Sequence, residues 1–494
     1  MRRQVLRTGL AVLAIAVTGL AWAIDAPPAS AEPECMTGSN DFNLDGRVDV
    51  AVGMPGAAGG TGAVEVRVSD GSGTAIHRLV PPQGEAGDRF GTALAEVASY
   101  EGSDIERGTC SRLVVGAPGR DVGTLNDAGA IFVYDWDADQ GEFTLFHEFR
   151  QGAQAVPGQP QVGAGFGSDL ASPFHEPDIV GSVVRPLYVG VPGYDLAGQA
   201  DAGAVAELVL GSSQVPIVEE GQLVTQNVAG VPGASETNDR FGAALAVSGA
   251  DVFIGVPGEN NSSGGVLDWD PSPGATETFV TQNTAGVPGT PEAGDSFGAT
   301  LYSATETSHN GGGHNVLAGA PGEAIGSAKG AGSVIVFWFD GTFALGETKG
   351  FNQDTAGVAG AAEAGDAFGS SLGTWGAADF LVGVPGEDIG TVRDAGSVSA
   401  LRGERAWTQA TTGIPGGVEA GDRFGQTIGN VRVPFTGDED DVWLDAPLIG
   451  VPGENAGAGT VLSGLPGRGV TPVNWVAGSP AAGNRYGQAL GSTN

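Results

Sequence analysis

Residues 88–91 read Asp-Arg-Phe-Gly, and residues 113–118 read Leu-Val-Val-Gly-Ala-Pro. The first stretch holds an aromatic-glycine pair, the second is an apolar run ending in Gly-x-Pro, and the two patterns alternate along the chain. An apolar run that ends in Gly-x-Pro occurs seven times, with its proline at Pro55, Pro118, Pro192, Pro257, Pro321, Pro385 and Pro452. The aromatic-glycine pair, as Phe-Gly or Tyr-Gly, also occurs seven times, at Phe90, Phe166, Phe241, Phe297, Phe368, Phe424 and Tyr486. Self-similarity at a period of about 66 residues predicts a repeat architecture.

The composition agrees with a turn-rich β protein. The 494 residues include 86 glycines and 29 prolines, and 7% aromatic residues, which disfavours helical bundles. Hydrophobic residues still make up 41%, enough for a core. A third strand is predicted where small residues step into an apolar run, as at Gly332-Ser333-Val334, and a fourth before a connector such as Gln282 to Gly289. Each repeat therefore predicts a blade of four antiparallel strands.

The two chain ends hold complementary parts of one repeat. The first Gly-x-Pro has no aromatic-glycine pair before it, and Tyr486-Gly487 has no Gly-x-Pro after it. Pairing them would satisfy a sheet edge that is otherwise exposed. We therefore predict an all-β, seven-bladed β-propeller over residues 32–494, closed by pairing of the N- and C-terminal strands, with a closing blade from residues 32–78 plus 470–494. An open array with frayed ends is the alternative.

Charge and the first residues predict where the protein works. The chain has 22 basic and 58 acidic residues, a net charge of -36, which disfavours nucleic acid and anionic membranes as partners. Residues 1–31 combine arginines, an apolar run and a small-residue site, which predicts a signal peptide cleaved after Ala31. The export route, general secretory or twin-arginine, stays open. No later apolar run is long enough to span a membrane, so we expect a secreted monomer.

The paired patterns, with literal Gly116-Ala117-Pro118 and Gly319-Ala320-Pro321, resemble the FG-GAP repeat of the integrin α-subunit head. The resemblance covers essentially all of residues 35–494. It implies a seven-bladed propeller with calcium in some loops between strands 1 and 2 of a blade, and ligand recognition on the opposite face. The chain lacks the leg domains, transmembrane helix and inserted adhesion domain of integrins, so integrin signalling does not carry over.

One loop has the spacing of a calcium site. Asp41, Asn43, Asp45 and Asp49 supply side-chain oxygens, and Arg47 a carbonyl, in the pattern D-x-N-x-D-G-x-x-D. Such oxygens can converge on Ca²⁺, and Gly46 allows the sharp turn. An EF-hand is excluded because the twelfth residue of the loop, counted from Asp41, is Val52 rather than glutamate. A solvated Asx turn is the alternative. The turns at 249–251 and 377–379 are too short for an ion, and the acidic residues 438–441 favour a solvated loop.

Cys35 and Cys110 are the only cysteines, and we predict that they form a disulfide. Both lie in the region between strands 1 and 2, in neighbouring blades, and an exported protein favours oxidation. Catalytic or zinc-binding thiols are the alternative.

No catalytic constellation stands out, and we expect that the chain is not an enzyme. Gly369-Ser370-Ser371-Leu372-Gly373 matches a hydrolase elbow, but Ser371 falls in the first strand of a repeat rather than at a strand-to-helix turn. The five histidines lack paired-ligand spacing, although His309 and His314 share a glycine-rich loop. We expect a calcium-stabilised, non-catalytic adhesion module that binds an extracellular protein or glycan. The alternative is a secreted hydrolase or polysaccharide lyase, with its site in the channel or in the long loops at 99–112, 171–185, 303–315 and 430–447.

Overall fold

The structure is a computed structural model. It describes residues 40–43, 45, 47–69, 73–98, 111–173, 186–210, 218–249, 251–272, 277–306, 313–339, 345–376, 379–434, 443–466, 473–475 and 481–491. The predicted signal peptide, both cysteines, His309 and the acidic residues 438–441 lie outside this part of the chain.

Seven sheets of four antiparallel strands form the described chain, which confirms the predicted blades. We number the blades 1 to 7 with the closing blade first. Blade 1 contains β1 (Val50–Met54), β2 (Ala63–Ser69), β3 (Thr74–Leu79) and β28 (Ala489–Leu490). Blade 2 contains β4 (Leu94–Ala98), β5 (Ser111–Ala117), β6 (Ala130–Asp137) and β7 (Glu142–Phe149), and blade 3 contains β8 (Leu170–Ala171), β9 (Pro186–Val191), β10 (Ala204–Leu210) and β11 (Val218–Val224). Blade 4 contains β12 (Ala244–Ser248), β13 (Asp251–Val256), β14 (Gly265–Trp269) and β15 (Thr278–Val280), and blade 5 contains β16 (Thr300–Glu306), β17 (Gly313–Ala320), β18 (Ser333–Phe339) and β19 (Leu345–Phe351). Blade 6 contains β20 (Ser371–Thr374), β21 (Phe380–Val384), β22 (Ser397–Ala400) and β23 (Ala406–Trp407), and blade 7 contains β24 (Thr427–Pro434), β25 (Trp443–Val451), β26 (Thr460–Ser463) and β27 (Val473–Trp475).

Terminal strands close the ring as predicted. In the first blade β28 pairs antiparallel with β1, placing Leu490 opposite Val52 and Ala489 opposite Gly53. The C-terminal strand therefore takes the innermost position that the N-terminal half of the blade leaves open, and the sheet order is β28-β1-β2-β3.

Among the described residues, helix is confined to four-residue turns after Gly-x-Pro in three blades. They span Ala57–Gly60, Glu259–Ser262 and Glu454–Gly457, and each contains three residues of positive φ. No helix in the described part of the chain has the length and apolar character that a bilayer crossing requires.

The aromatic residue of each aromatic-glycine pair fills the gap between two blades. All seven are 0% exposed. Seven buried clusters occupy the seven blade interfaces, and each includes one of these aromatic rings. Tyr486 belongs to the cluster where blade 7 meets blade 1, and its hydroxyl donates to Glu65 at 2.9 Å. The hydroxyl thus links the C-terminal segment to β2 of the closing blade.

The glycine of Gly-x-Pro allows adjacent blades to pack closely. A Cβ on Gly53 would lie 2.2 Å from the carbonyl oxygen of Gly91, the glycine of the aromatic-glycine pair in the next blade. The same clash recurs between Gly116 and Gly167, at 2.1 Å. Since no side chain fits in that space, each glycine lets adjacent inner strands approach closely.

The antiparallel order defines two faces. The turn face carries the turns between strands 2 and 3 and the connectors between blades, while the loop face carries the loops between strands 1 and 2 and between strands 3 and 4. The predicted calcium loop precedes β1 and lies on the loop face. Parts of two predicted long loops, 303–315 and 430–447, are strand instead, because β16, β17, β24 and β25 extend into them.

Candidate functional site

A polar cavity opens on the turn face where blades 6, 7 and 1 meet. Its volume is about 490 Å³, and its lining includes Arg423, Arg485, Gln426, Gln488 and Asp394. The rest of the lining is largely glycine and alanine, so these polar side chains determine what the cavity can bind.

The two arginines are presented by the fold rather than by a flexible loop. Each directly precedes the aromatic-glycine pair and has positive φ, 57° at Arg423 and 55° at Arg485. The Arg423 amide donates to the Asp394 carbonyl at 3.1 Å, and the Arg485 amide donates to the Gly457 carbonyl at 2.9 Å. Both residues are exposed, and no ion pair of either is found among the described residues. Two unpaired guanidinium groups favour a carboxylate or another oxyanion as ligand.

Buried carboxyl groups form a second feature of the turn face. In blades 4 to 7 an aspartate two residues before the aromatic, a glutamate directly after Gly-x-Pro-Gly and a glutamine of the preceding connector come together, and we call each set a junction triad. The triads are Gln226–Asp239–Glu259, Gln282–Asp295–Glu323, Gln353–Asp366–Glu387 and Gln409–Asp422–Glu454.

Hydrogen bonds within a triad follow one scheme. In blade 4, Gln226 Nε2 donates to Glu259 Oε2 at 2.8 Å, and Asp239 Oδ2 accepts from the backbone amide of Glu236 at 2.5 Å. The corresponding glutamine-glutamate bonds occur in blades 5, 6 and 7. Each triad therefore fastens the connector of one blade to the turn of the next.

Burial and like charge raise the pKa of these acids. Burial raises the pKa of Glu323 to about 7, and the charge of the nearby Asp295 adds to the rise. The hydrogen bond that Glu323 accepts from Gln282 acts in the opposite direction. Burial and the nearby Asp366 likewise raise the pKa of Glu387 to about 7. Burial and the nearby Glu454 raise the pKa of Asp422 to about 6. The sequence reading missed these acids. The signal was present, because an aspartate before the aromatic and a glutamate after Gly-x-Pro-Gly recur together.

In blade 2 an ion pair takes the place of the two acids of a junction triad. Arg120 stands where the triads have glutamate, and its Nη1 donates to Asp88 Oδ2 at 2.8 Å. Arg120 also donates to the carbonyls of Gln83 and Pro82 and to Glu148. Asp88 is 2% exposed, and its charge is balanced within the protein.

A cavity of about 320 Å³ runs along the propeller axis, lined by the first strands of all seven blades. Asp169 is the only carboxyl side chain among the described residues that line it. Burial raises its pKa to about 7, while hydrogen bonds from the amides of Leu245 and Leu170 act in the opposite direction. Ser371 also lines this channel, and its hydroxyl donates to the Gly425 carbonyl at 2.7 Å. That bond ties blade 6 to blade 7, and Ser371 opens β20 rather than a nucleophile elbow.

Side chains of the predicted calcium loop bend back onto its own backbone. The Asp45 amide donates to Asp41 Oδ1 at 3.1 Å and to Asn43 Oδ1 at 3.2 Å, and the Arg47 amide donates to Asp45 Oδ1 at 2.9 Å. Asp49 is buried and accepts from the amides of Phe42 and Ser69, each at 2.9 Å. Burial raises the pKa of Asp49 to about 8, with the charges of Asp41 and Asp45 adding to the rise. The predicted oxygen ligands thus share one compact loop.

Elsewhere on the loop face, Asp251 opens β13 in blade 4, at 1% exposure, with neither carboxyl oxygen hydrogen-bonded among the described residues. Nearby Asp268 is also buried, and burial raises its pKa to about 8. Across the described residues, no three His, Cys, Asp or Glu side chains are gathered so as to hold a metal ion. A cation here would therefore need amide, carbonyl or water oxygens as well.

His314 lies on β17, opposite Thr305.

No family model and no curated protein matches the chain, so the FG-GAP resemblance remains a prediction from the motifs. Among solved structures, the chain is similar to a putative 6-phosphogluconolactonase from Bacteroides fragilis, with a TM-score of 0.45 and 10% identity over 90% of this chain and 97% of that one. This match contradicts our prediction that the chain is not an enzyme, since the matched chain is named as one. At that TM-score and identity it assigns no activity to this chain.

Proposed function

We propose that the protein is a secreted, calcium-stabilised propeller that binds an extracellular protein or glycan on its turn face, through an anionic group of the ligand. The observation that carries the proposal is the cavity with Arg423 and Arg485, two exposed guanidinium groups in a chain with 58 acidic and 22 basic residues. Because a net charge of -36 repels an extended polyanion, the ligand should carry isolated carboxylates rather than a continuous run of negative charge.

The test uses the mature chain and immobilised oligosaccharides, neutral or bearing a single uronic acid, together with short peptides bearing a single aspartate. We expect binding to the acidic members, weakened at least tenfold by Arg423→Ala combined with Arg485→Ala. Arg240→Ala is the matched control, because Arg240 occupies the same position before Phe241 in blade 4, outside the residues that line this cavity. Binding that resists the double substitution, or that falls equally with Arg240→Ala, would remove the proposal.

Calcium has a separate role in the proposal. Asp41, Asn43, Asp45 and Asp49, with the Arg47 carbonyl, would hold the ion in the loop before β1, where it would stabilise the closing blade. The bonds from the Asp45 amide to both Asp41 and Asn43, and the nearby buried Asp49, support this assignment.

Asp169 supports a second candidate, a hydrolase with its site in the central channel. A carboxyl group with a pKa near 7 suits general acid-base catalysis at neutral pH. A screen of lactone, ester and polysaccharide substrates tests this candidate, with Asp169→Asn as the decisive variant. Turnover that Asp169→Asn abolishes would favour the enzyme, whereas no turnover on any substrate class would leave the binding function as the better proposal.

A further inference from the structure

Each of the four junction triads places two acidic groups close together, and no ion pair of these acids is found in the part of the chain that the structure describes. In blade 7, Asp422 is 0% exposed and Glu454 is 6% exposed, and each lies near enough to raise the other's energy when both are ionised. Burying like charges without compensation is strongly unfavourable. A structure that repeats this arrangement four times therefore needs a source of positive charge.

Differences among the seven blades show that the two acids occur together. Where the aspartate is replaced by Ala164, in blade 3, the glutamate is replaced by Tyr194. Where the aspartate is replaced by Asn484, in blade 1, the glutamate position holds Ala57. In blade 2, where Asp88 is kept without the glutamate, Arg120 supplies a guanidinium group at 2.8 Å. Each blade without a triad thus avoids a buried pair of like charges.

Unpartnered oxygens at the triads indicate what is missing. The four glutamines, Gln226, Gln282, Gln353 and Gln409, are 3%, 4%, 3% and 6% exposed, and the Oε1 atom of each is buried without a hydrogen-bond partner. The Nε2 atom of the same amide donates to the glutamate, so the amide group of each glutamine lies at the junction. The Oδ1 atoms of Asp239 and Asp422 are also buried and unpartnered. Unsatisfied buried oxygens are unfavourable, and oxygen-only groups are the ligands that a hard cation prefers.

We propose that each junction triad binds one divalent cation of the calcium class, giving four cation sites on the turn face. The two carboxylates balance the charge of the ion, the glutamine oxygen adds a neutral ligand, and water completes the coordination. Arg120 supplies the positive charge in blade 2, so that junction needs no ion. The bound ions join each connector to the next turn and hold the turn face in shape.

The experiment counts calcium on the mature protein. Protein stripped with a chelator is dialysed against calcium chloride, and bound calcium is measured by atomic emission for the unsubstituted chain, for Asp45→Ala, and for a variant with Glu259→Gln, Glu323→Gln, Glu387→Gln and Glu454→Gln. We expect the fourfold variant to bind four fewer ions than the unsubstituted chain, and Asp45→Ala to retain at least four. Equal calcium on the fourfold variant and the unsubstituted chain would overturn the proposal.

Two measurements protect the test against misfolding of the fourfold variant. The first is Asp45→Ala itself, because its triads are intact, and fewer than four bound ions on this variant would overturn the proposal. The second is Glu454→Arg, which copies the arrangement of Arg120 and Asp88. We expect this variant to bind one ion fewer and to lose less of its thermal stability than the unsubstituted chain when calcium is removed. An unchanged ion count with Glu454→Arg would contradict the site in blade 7.

Discussion

Blade 2 and blade 7 place the same backbone around a buried aspartate, yet they differ in charge. In both, the glycine after Gly-x-Pro donates its amide to the carbonyl of that aspartate, at 3.1 Å for Gly119 and Asp88 and at 3.0 Å for Gly453 and Asp422. The next residue is Arg120 in blade 2 and Glu454 in blade 7. The repeat therefore determines the position of this side chain, while its charge decides whether the buried aspartate has a partner of opposite charge within the protein.

The largest effect should come from removing the internal cation of blade 2. Arg120→Ala leaves Asp88 buried and unpaired, and we expect the free energy of unfolding to fall by about 3–5 kcal/mol. Denaturant unfolding monitored by tryptophan fluorescence measures it. Arg89→Ala is the control, because Arg89 meets Asp127 at 3.5 Å with both side chains about half exposed, and such a pair contributes within about 1 kcal/mol. Equal losses for the two variants would show that blade 2 has no special electrostatic role.

Without calcium, replacing the equivalent aspartates of blades 2 and 7 by asparagine should change the free energy of unfolding in opposite directions. Asp88→Asn removes the partner of Arg120 and should lower the free energy of unfolding by about 2–3 kcal/mol. Asp422→Asn removes one of two like charges, and its side-chain oxygen can still accept the bond from the Glu419 amide. We expect it to be neutral or stabilising in chelator. Destabilisation of similar size at both positions would remove the distinction between the two blades.

Lower pH should stabilise the calcium-free protein through the triads. The pKa of Glu323 and of Glu387 is raised from 4.5 to about 7 in the folded state. The folded state therefore binds these protons more tightly, so the stabilisation is complete below about 4.5 and is lost as pH rises through about 7. The melting temperature in chelator should rise by a few degrees from pH 8 to pH 6. The fourfold glutamine variant should show a flatter profile, and an identical slope would contradict the assignment.

The smallest effect concerns the loop face. Asp45→Ala removes one predicted ligand from the loop before β1, and we expect the melting temperature in calcium to fall by several degrees toward its value in chelator. Arg47→Ala keeps the backbone carbonyl and serves as the matched control. If Asp45→Ala and the unsubstituted chain respond identically to chelator, calcium in this loop does not stabilise the closing blade.

The blade number, the four strands of each blade and the closure of the ring were predictable because they depend on periodic features. An aromatic residue that fills each blade interface and glycines that let the inner strands approach recur at a period that the sequence displays directly. The closing pair could be predicted because Tyr486 stood without a following Gly-x-Pro, and an unpaired edge is unfavourable.

The functional features were harder to predict because they depend on distances across the repeat. Arg423 and Arg485 are 62 positions apart in the sequence, and only the ring places them on one cavity. Gln226 lies in a connector and Glu259 in a turn 33 positions later, and the recurring letters did not show that they touch. Our expectation of no enzymatic activity relied on repeats occupying the chain, but a channel with a carboxyl of raised pKa is formed by the repeats themselves.

The sequence by itself determined a closed ring of seven four-stranded blades, because glycine and aromatic spacing specify packing that is repeated locally in every unit. Only the tertiary structure decided which charges are buried together and which remain exposed. Electrostatic energy depends on separation and burial in space, and the ring brings together side chains from connectors and turns that are far apart along the chain.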